Sequence, residues 1–245
     1  MPTRRSTTSP RSGGRLPAAH SVEALAVSAV LFDLDGTLAD SAGDLALAVN
    51  TMRERRGLAP VAVEALRAHA SSGARGLLGS GMGVTPDDPD YPVLRDEFLA
   101  NYAAGLARST HLFDGVRELL AALDARRLPW GIVTNKVARF TTPVVAALGL
   151  AGRAATVVSG DTASRPKPHP EPLLFAAAAL GLPARTCVYV GDDLRDVTAG
   201  NAAGMATIVA RYGYLGGDTD PSSWPATGSI DHPLDLLGWL PEDNA

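Results

Sequence analysis

Apolar residues in this chain fall into short, nearly unbroken runs separated by longer stretches of helical period. Residues 27–32, 130–133, 155–158, 187–190 and 205–209 are such runs. Their length and lack of alternation predict strands buried on both faces. Residues 44–56, 61–70, 91–108, 115–127, 140–148, 171–180, 194–203 and 234–240 read as helices. Ser71-Ser72-Gly73-Ala74-Arg75-Gly76 reads as a glycine-rich turn leading into Leu77 and Leu78. Beyond residue 112 strands and helices alternate, which predicts a doubly wound α/β core with a parallel sheet. Residues 41–112 carry helical patterns only, so a small all-helical domain is expected after the first strand. The core is then 26–40 together with 113–245.

Residues 1–25 break the pattern. Arg4, Arg5, Arg11 and Arg15 occur among serines, threonines and prolines, with no acidic residue before Glu23. This composition predicts a disordered basic tail. An organelle transit peptide shares the composition, but the prolines spoil the amphipathic helix it needs. A translation start downstream of Met1 is a third reading.

Composition narrows the function classes. The chain has 245 residues, 46% hydrophobic and 20% charged, with net charge −4. That balance gives no reason to expect nucleic acid or an anionic membrane as partner. No apolar stretch reaches spanning length. A single cysteine, Cys187, falls in an expected buried strand. It has no partner for an intramolecular disulfide and suits a reducing, cytoplasmic compartment. His20, His69, His111 and His232 show no metal-ligand spacing, and His169 sits between prolines. A monomer or a homodimer fits the sequence equally.

The chemistry-bearing residues close the apolar runs. Asp33-Leu34-Asp35-Gly36-Thr37-Leu38 follows the first. Both carboxylates should stand at the carboxyl end of a strand, where open α/β sheets bind ligands. Two aspartates one residue apart can divide two roles. One attacks phosphorus; the other exchanges a proton at the leaving oxygen. A plain strand followed by an Asp-Gly turn is the structural alternative. Thr134-Asn135-Lys136 follows the second run, Lys167 lies among prolines in a loop, and Gly191-Asp192-Asp193-Leu194-Arg195-Asp196 follows a third. The last three aspartates also suit a helix start.

These four segments, in this order, resemble the motifs of the haloacid dehalogenase-like (HAD) phosphohydrolase superfamily. The likeness covers roughly residues 27–240. It implies a Rossmann-like core, a small helical cap and Mg²⁺-dependent phosphoryl transfer through an aspartyl phosphate on Asp33. Asp35 would be the acid and base. The implied ligands of Mg²⁺ are the Asp33 carboxylate, the Asp35 carbonyl and the Asp192 carboxylate, a hard oxygen set that suits a hard cation. Thr134, with backbone N–H groups of Asn135 and Gly36, would hold the phosphoryl oxygens. Lys167 would pair with the nucleophile, and Asp193 and Asp196 would hold metal-bound waters or Lys167. A dehalogenase needs neither a second catalytic aspartate nor the metal, so Asp35 and the Asp192 cluster favour phosphate chemistry. A sugar-phosphate mutase shares all four motifs and would depend on a bisphosphate activator.

Within the superfamily, residues 33–41, Lys167-Pro168-His169-Pro170 and Arg211-Tyr212-Gly213-Tyr214 look like phosphoglycolate phosphatases. Ser72-Gly73-Ala74-Arg75, Trp224 and Asp231-His232-Pro233 also look like a sister group that hydrolyses N-acetylmuramic acid 6-phosphate. The expected substrate is a small phosphate ester bearing a carboxylate, 2-phosphoglycolate first and the amino-sugar acid phosphate second. Arg75, on the expected turn, would reach that carboxylate.

Overall fold

A computed structural model describes residues 27–216 and 220–241, so the expected basic tail lies outside the described residues. Strand β1 (Ala29–Phe32) leads to a two-residue strand β2 (Ala39–Asp40) and then to four helices. These are α1 (Ala42–Glu54), α2 (Val63–Ala70), α3 (Gly73–Met82) and α4 (Tyr91–Ala104). The chain returns through β3 (His111–Leu112), which pairs antiparallel with β2. Alternation follows: α5 (Val116–Ala125), β4 (Trp130–Val133), α6 (Ala138–Ala147), β5 (Thr156–Val158), α7 (Glu171–Ala179), β6 (Cys187–Gly191), α8 (Leu194–Ala202), β7 (Ala206–Ala210) and β8 (Gly228–Ile230).

Six strands form one parallel sheet in the order β5-β4-β1-β6-β7-β8. The chain winds outward from β1 to β5, then crosses back to β6 and winds the other way. β1 is therefore where the strand order reverses, and the crevice beyond its carboxyl end is the ligand position of such sheets. The pleat sends Val30 and Phe32 to one face, where Leu119, Leu120 and Leu123 of α5 bury with them. Ala29 and Leu31 go to the other, packed with Leu173, Ala176 and Ala177 of α7. Both faces being covered explains why the strands read as continuous apolar runs.

Helices α1–α4 build their own core from Leu45, Val49 and Met52 of α1, Leu66 and Ala70 of α2, Leu77 and Leu78 of α3, and Phe98 and Tyr102 of α4. The spacing on α1 is one helical face. Leu47, off that face, is 46% exposed.

Three local expectations need correction. Gly73 and Gly76 belong to helix α3, where a turn was expected. Burying Leu77 and Leu78 against α1 and α2 outweighs the helix cost of glycine, about 1 kcal/mol per residue. The expected final helix is a 3₁₀ turn, Pro233–Trp239, started by His232, whose Nδ1 accepts from Leu234 N. Strand β8 is too short to show in the pattern and adds a sixth strand at the edge.

Candidate active site

Asp33 leaves β1 at its carboxyl end, with its backbone N–H donating to Val190 O at 2.9 Å. Its Oδ1 lies 3.0 Å from Lys167 Nζ and accepts from Leu34 N at 2.7 Å. Lys167 is buried, and its ammonium also reaches Asp196 Oδ1 (2.7 Å), Tyr189 Oη (2.7 Å) and Val133 O (3.0 Å). Burial works against that charge, but Asp196 and Asp33 outweigh it and hold the Lys167 pKa above its ordinary value. Asn135 anchors the loop: its side chain donates to Lys167 O and accepts from Lys167 N, each at 2.9 Å.

Asp192 follows β6 and is fully buried. It accepts from Thr37 Oγ1 at 3.1 Å, Tyr214 N at 3.0 Å and Ser71 Oγ at 3.2 Å. Gly36 makes room for it. With φ +88° and its hydrogen facing Asp192, a Cβ there would fall inside the carboxylate. Gly213 plays the matching part from the loop after β7, where a Cβ would strike Gly36 O and Asp192.

Carboxylate oxygens of Asp33, Asp192 and Asp196 lie within 4.8 Å of one another. Burial pushes the Asp33 carboxyl up to about 7 despite Lys167. Burial, and then the charges of Asp33 and Asp196, push Asp192 well above the carboxylate range. Crowded, buried oxygens that resist ionisation are what a divalent cation relieves, and an all-oxygen donor set fits Mg²⁺. Asp196 belongs to this cluster, but its Oδ1 is occupied by Lys167 and Tyr189 and its Oδ2 by Asp193 N. Asp193 turns away, caps α8 and pairs with Arg195 Nε at 2.8 Å. Of the two supporting aspartates, Asp196 is thus the one that holds Lys167.

Asp35 is held from two sides. Ser41 Oγ donates to its Oδ1 at 2.6 Å, and Lys136 Nζ lies 3.0 Å from the same oxygen. Lys136 also donates to Tyr102 Oη on α4 at 2.8 Å. Sequence reasoning assigned Ser41, Lys136 and Tyr102 no role. Lys136 stood beside Thr134 and Asn135, but Tyr102 fell inside the expected helix 91–108 with no motif around it.

A cavity of about 560 Å³ opens between the sheet end and the helical insert. Asp33, Asp35, Thr134, Asn135 and Lys167 line its floor, and Arg75, Arg95, Arg139, Tyr91 and Leu99 line it from the helices. Arg75 stands exposed on the first turn of α3. Ser71, between α2 and α3, ties the insert to the floor, since Arg195 Nη2 donates to its carbonyl.

Residues 30–210 match the model of the haloacid dehalogenase-like hydrolase family. The chain belongs to that family. Its relatives include the N-acetylmuramic acid 6-phosphate phosphatase of Pseudomonas aeruginosa, 42% identical over 87% of this chain and 95% of that protein. The phosphoglycolate phosphatase of Xanthomonas campestris is 44% identical over the same shares of the two chains. This chain is accordingly a phosphatase of the family. Among solved structures, a predicted phosphoglycolate phosphatase from Haemophilus somnus aligns with TM-score 0.76 and 25% identity, over 86% of this chain and 97% of that one. A family hydrolase from Deinococcus radiodurans, solved with bound phosphate and sodium, aligns with TM-score 0.64 and 25% identity over 86% and 93%.

Proposed function

We propose that this phosphatase is a Mg²⁺-dependent phosphomonoesterase whose substrate is a carboxylate-bearing sugar phosphate, N-acetylmuramic acid 6-phosphate. The carrying observation is the cavity. Its volume, about 560 Å³, is in the range of pockets that enclose whole metabolites. A two-carbon acid phosphate fills a small part of it, whereas a sugar ring with a lactyl acid makes fuller use of a cavity whose lining includes both Asp33 and the arginines of the insert. 2-Phosphoglycolate is the second reading, favoured by the name of the 44% identical relative.

In this reading Asp33 attacks phosphorus in line. The ester P–O bond breaks as Asp35 protonates the leaving oxygen. Asp35 then takes a proton from water, the water oxygen attacks phosphorus, and the Asp33–phosphorus bond breaks to release phosphate. Lys167 fixes the Asp33 carboxylate and offsets charge at the phosphoryl group. Thr134 and the N–H groups of Asn135 and Gly36 receive its oxygens. Asp33, Asp192 and the Asp35 carbonyl would hold Mg²⁺, which supplies the charge neutralisation that lets an anionic nucleophile approach a dianionic ester. Helices α1–α4 act as the cap, covering the site and selecting the substrate.

Phosphate release with Mg²⁺, compared as kcat/KM for the two substrates, tests the assignment. A preference for the amino-sugar acid phosphate is the expected result. A preference for 2-phosphoglycolate reverses the order, and activity on neither removes both. Asp33→Asn should be inactive while remaining folded; a fully active variant would overturn the mechanism.

A further inference from the structure

Lys136 is the one cation that contacts Asp35 among the described residues, and it is not solvent that completes its shell. Its side chain is 7% exposed, its ammonium lies 3.0 Å from Asp35 Oδ1, and it donates to Tyr102 Oη at 2.8 Å. The Asp35 carboxylate and the Tyr102 hydroxyl hold its pKa above the ordinary lysine value, although burial opposes them. Tyr102 is itself fixed. Its ring is stacked with Phe98 of α4 at 6.4 Å and meets Phe140 of α6 edge-on at 5.2 Å. Phe98 belongs to the insert and Phe140 to the core, so the ring is gripped across the boundary between them.

Lys136 and Ser41 both take Oδ1 of Asp35. Proton exchange with a leaving group therefore falls to Oδ2, and the two donors set where that oxygen points. Ser41 approaches from the start of α1. Lys136 approaches from the loop after β4 and is steadied by a hydroxyl on α4.

We propose that Lys136 and Tyr102 are positioning residues for Asp35: a Tyr102–Lys136–Asp35 chain by which the seated insert aims the acid. The proposal rests on the reading of Asp35 as general acid.

The test uses kcat/KM, which reports the first half-reaction, on an alkyl phosphate and on p-nitrophenyl phosphate, whose leaving group needs little protonation. Tyr102→Phe keeps the ring and removes one hydroxyl. It should lower kcat/KM on the alkyl ester roughly tenfold and on the aryl ester less than about twofold, a part of the roughly 10²–10⁴-fold that a general acid contributes. Lys136→Met should show the same selectivity with a larger loss. In an Asp35→Asn background the Tyr102→Phe effect should vanish, because the chain acts only through Asp35. Equal losses on both esters, a rise in KM shared by both, or a Tyr102 effect that persists without Asp35 would each overturn the proposal. If Asp35→Asn alone shows no leaving-group dependence, the acid assignment fails instead. Thermal melting of each variant separates these outcomes from misfolding, and Tyr102→Phe carries the test if Lys136→Met does not fold.

Discussion

Gly36 and Asp192 show how much of the site depends on single atoms. No side chain fits between them, and the backbone of Gly36 has a positive φ that only glycine adopts at little cost. Gly36→Ala is therefore expected to push Asp192 off its donors and weaken Mg²⁺ binding at least tenfold, measured by titration calorimetry. Protonation works on the same atoms. Burial raises Asp33 to about 7 and Asp192 well above the carboxylate range, which favours the protonated form of both in the metal-free protein. In the unfolded chain both ionise near 4, so Asp33 binds more protons in the folded state between about 4 and 7 and its contribution to stability falls as pH rises through that window, with Asp192 acting in the same direction. Metal binding releases those protons and becomes tighter as pH rises. The gain in Tm from saturating Mg²⁺ should accordingly be larger at pH 8 than at pH 5. An equal gain at both would mean that these carboxyls are not the ligands. At this scale the sequence was informative wherever residues lie within one loop: Asp33, Asp35 and Gly36, or Asp192 and Asp196. It was silent on Tyr102, whose role depends on α4 crossing the loop after β4.

Elements are held by a few buried polar contacts that no periodicity reveals. Asp44, on the first turn of α1, is 2% exposed and accepts from the backbone and hydroxyl of both Ser109 and Thr110. Burial alone would raise its pKa, yet these four donors bring it below the ordinary value. The stability it contributes is present above the unfolded pKa and is lost as pH falls through the lower, folded one. Asp44→Ala removes the acceptor of four hydrogen bonds from the exposed Ser109 and the half-buried Thr110 and should cost about 1–3 kcal/mol in urea unfolding at pH 7. Tyr214 closes the start of α1, where its hydroxyl accepts from Ser41 N at 2.7 Å and Ala42 N at 3.1 Å. Ser41 occupies the N-cap position, but its own hydroxyl is committed to Asp35 and caps nothing. Tyr214→Phe should thus cost about 1 kcal/mol, the worth of an N-cap. Its Tm should fall more than that of a surface control. The strands were readable because the sheet is covered on both faces. Helix α3 was not, because tertiary burial of Leu77 and Leu78 overrode its glycines.

For the whole molecule, the doubly wound parallel sheet was legible, and the strand order and the substrate were not. Alternating strands and helices dictate a switch point, and the switch point dictates where Asp33 stands. The cavity is lined on its helical side by Arg75, Arg95 and Arg139, contributed by α3, α4 and α6. Their meeting is a matter of packing between the insert and the core. Arg139→Ala and Arg95→Ala are expected to raise KM for the carboxylate-bearing ester several-fold. Turnover of p-nitrophenyl phosphate, which has no carboxylate, should stay within about twofold. A matching rise in KM for both would remove the arginines from carboxylate recognition.

The paired strands β2 and β3 have a consequence for how such an enzyme diversifies. The polypeptide departs from the core at Ala39 and comes back at Leu112, and these residues are partners in one short ladder. Neighbouring strands lie about 4.8 Å apart. Departure and return thus share a single doorway, and the sheet closes without regard to what is strung between. Gene-level exchange of the intervening stretch can hand an old reaction a new clientele in one event. A newcomer that brings hydroxyls to Asp35, Asp192 and Lys136, as Ser41, Ser71 and Tyr102 do, keeps the inherited site supported from above.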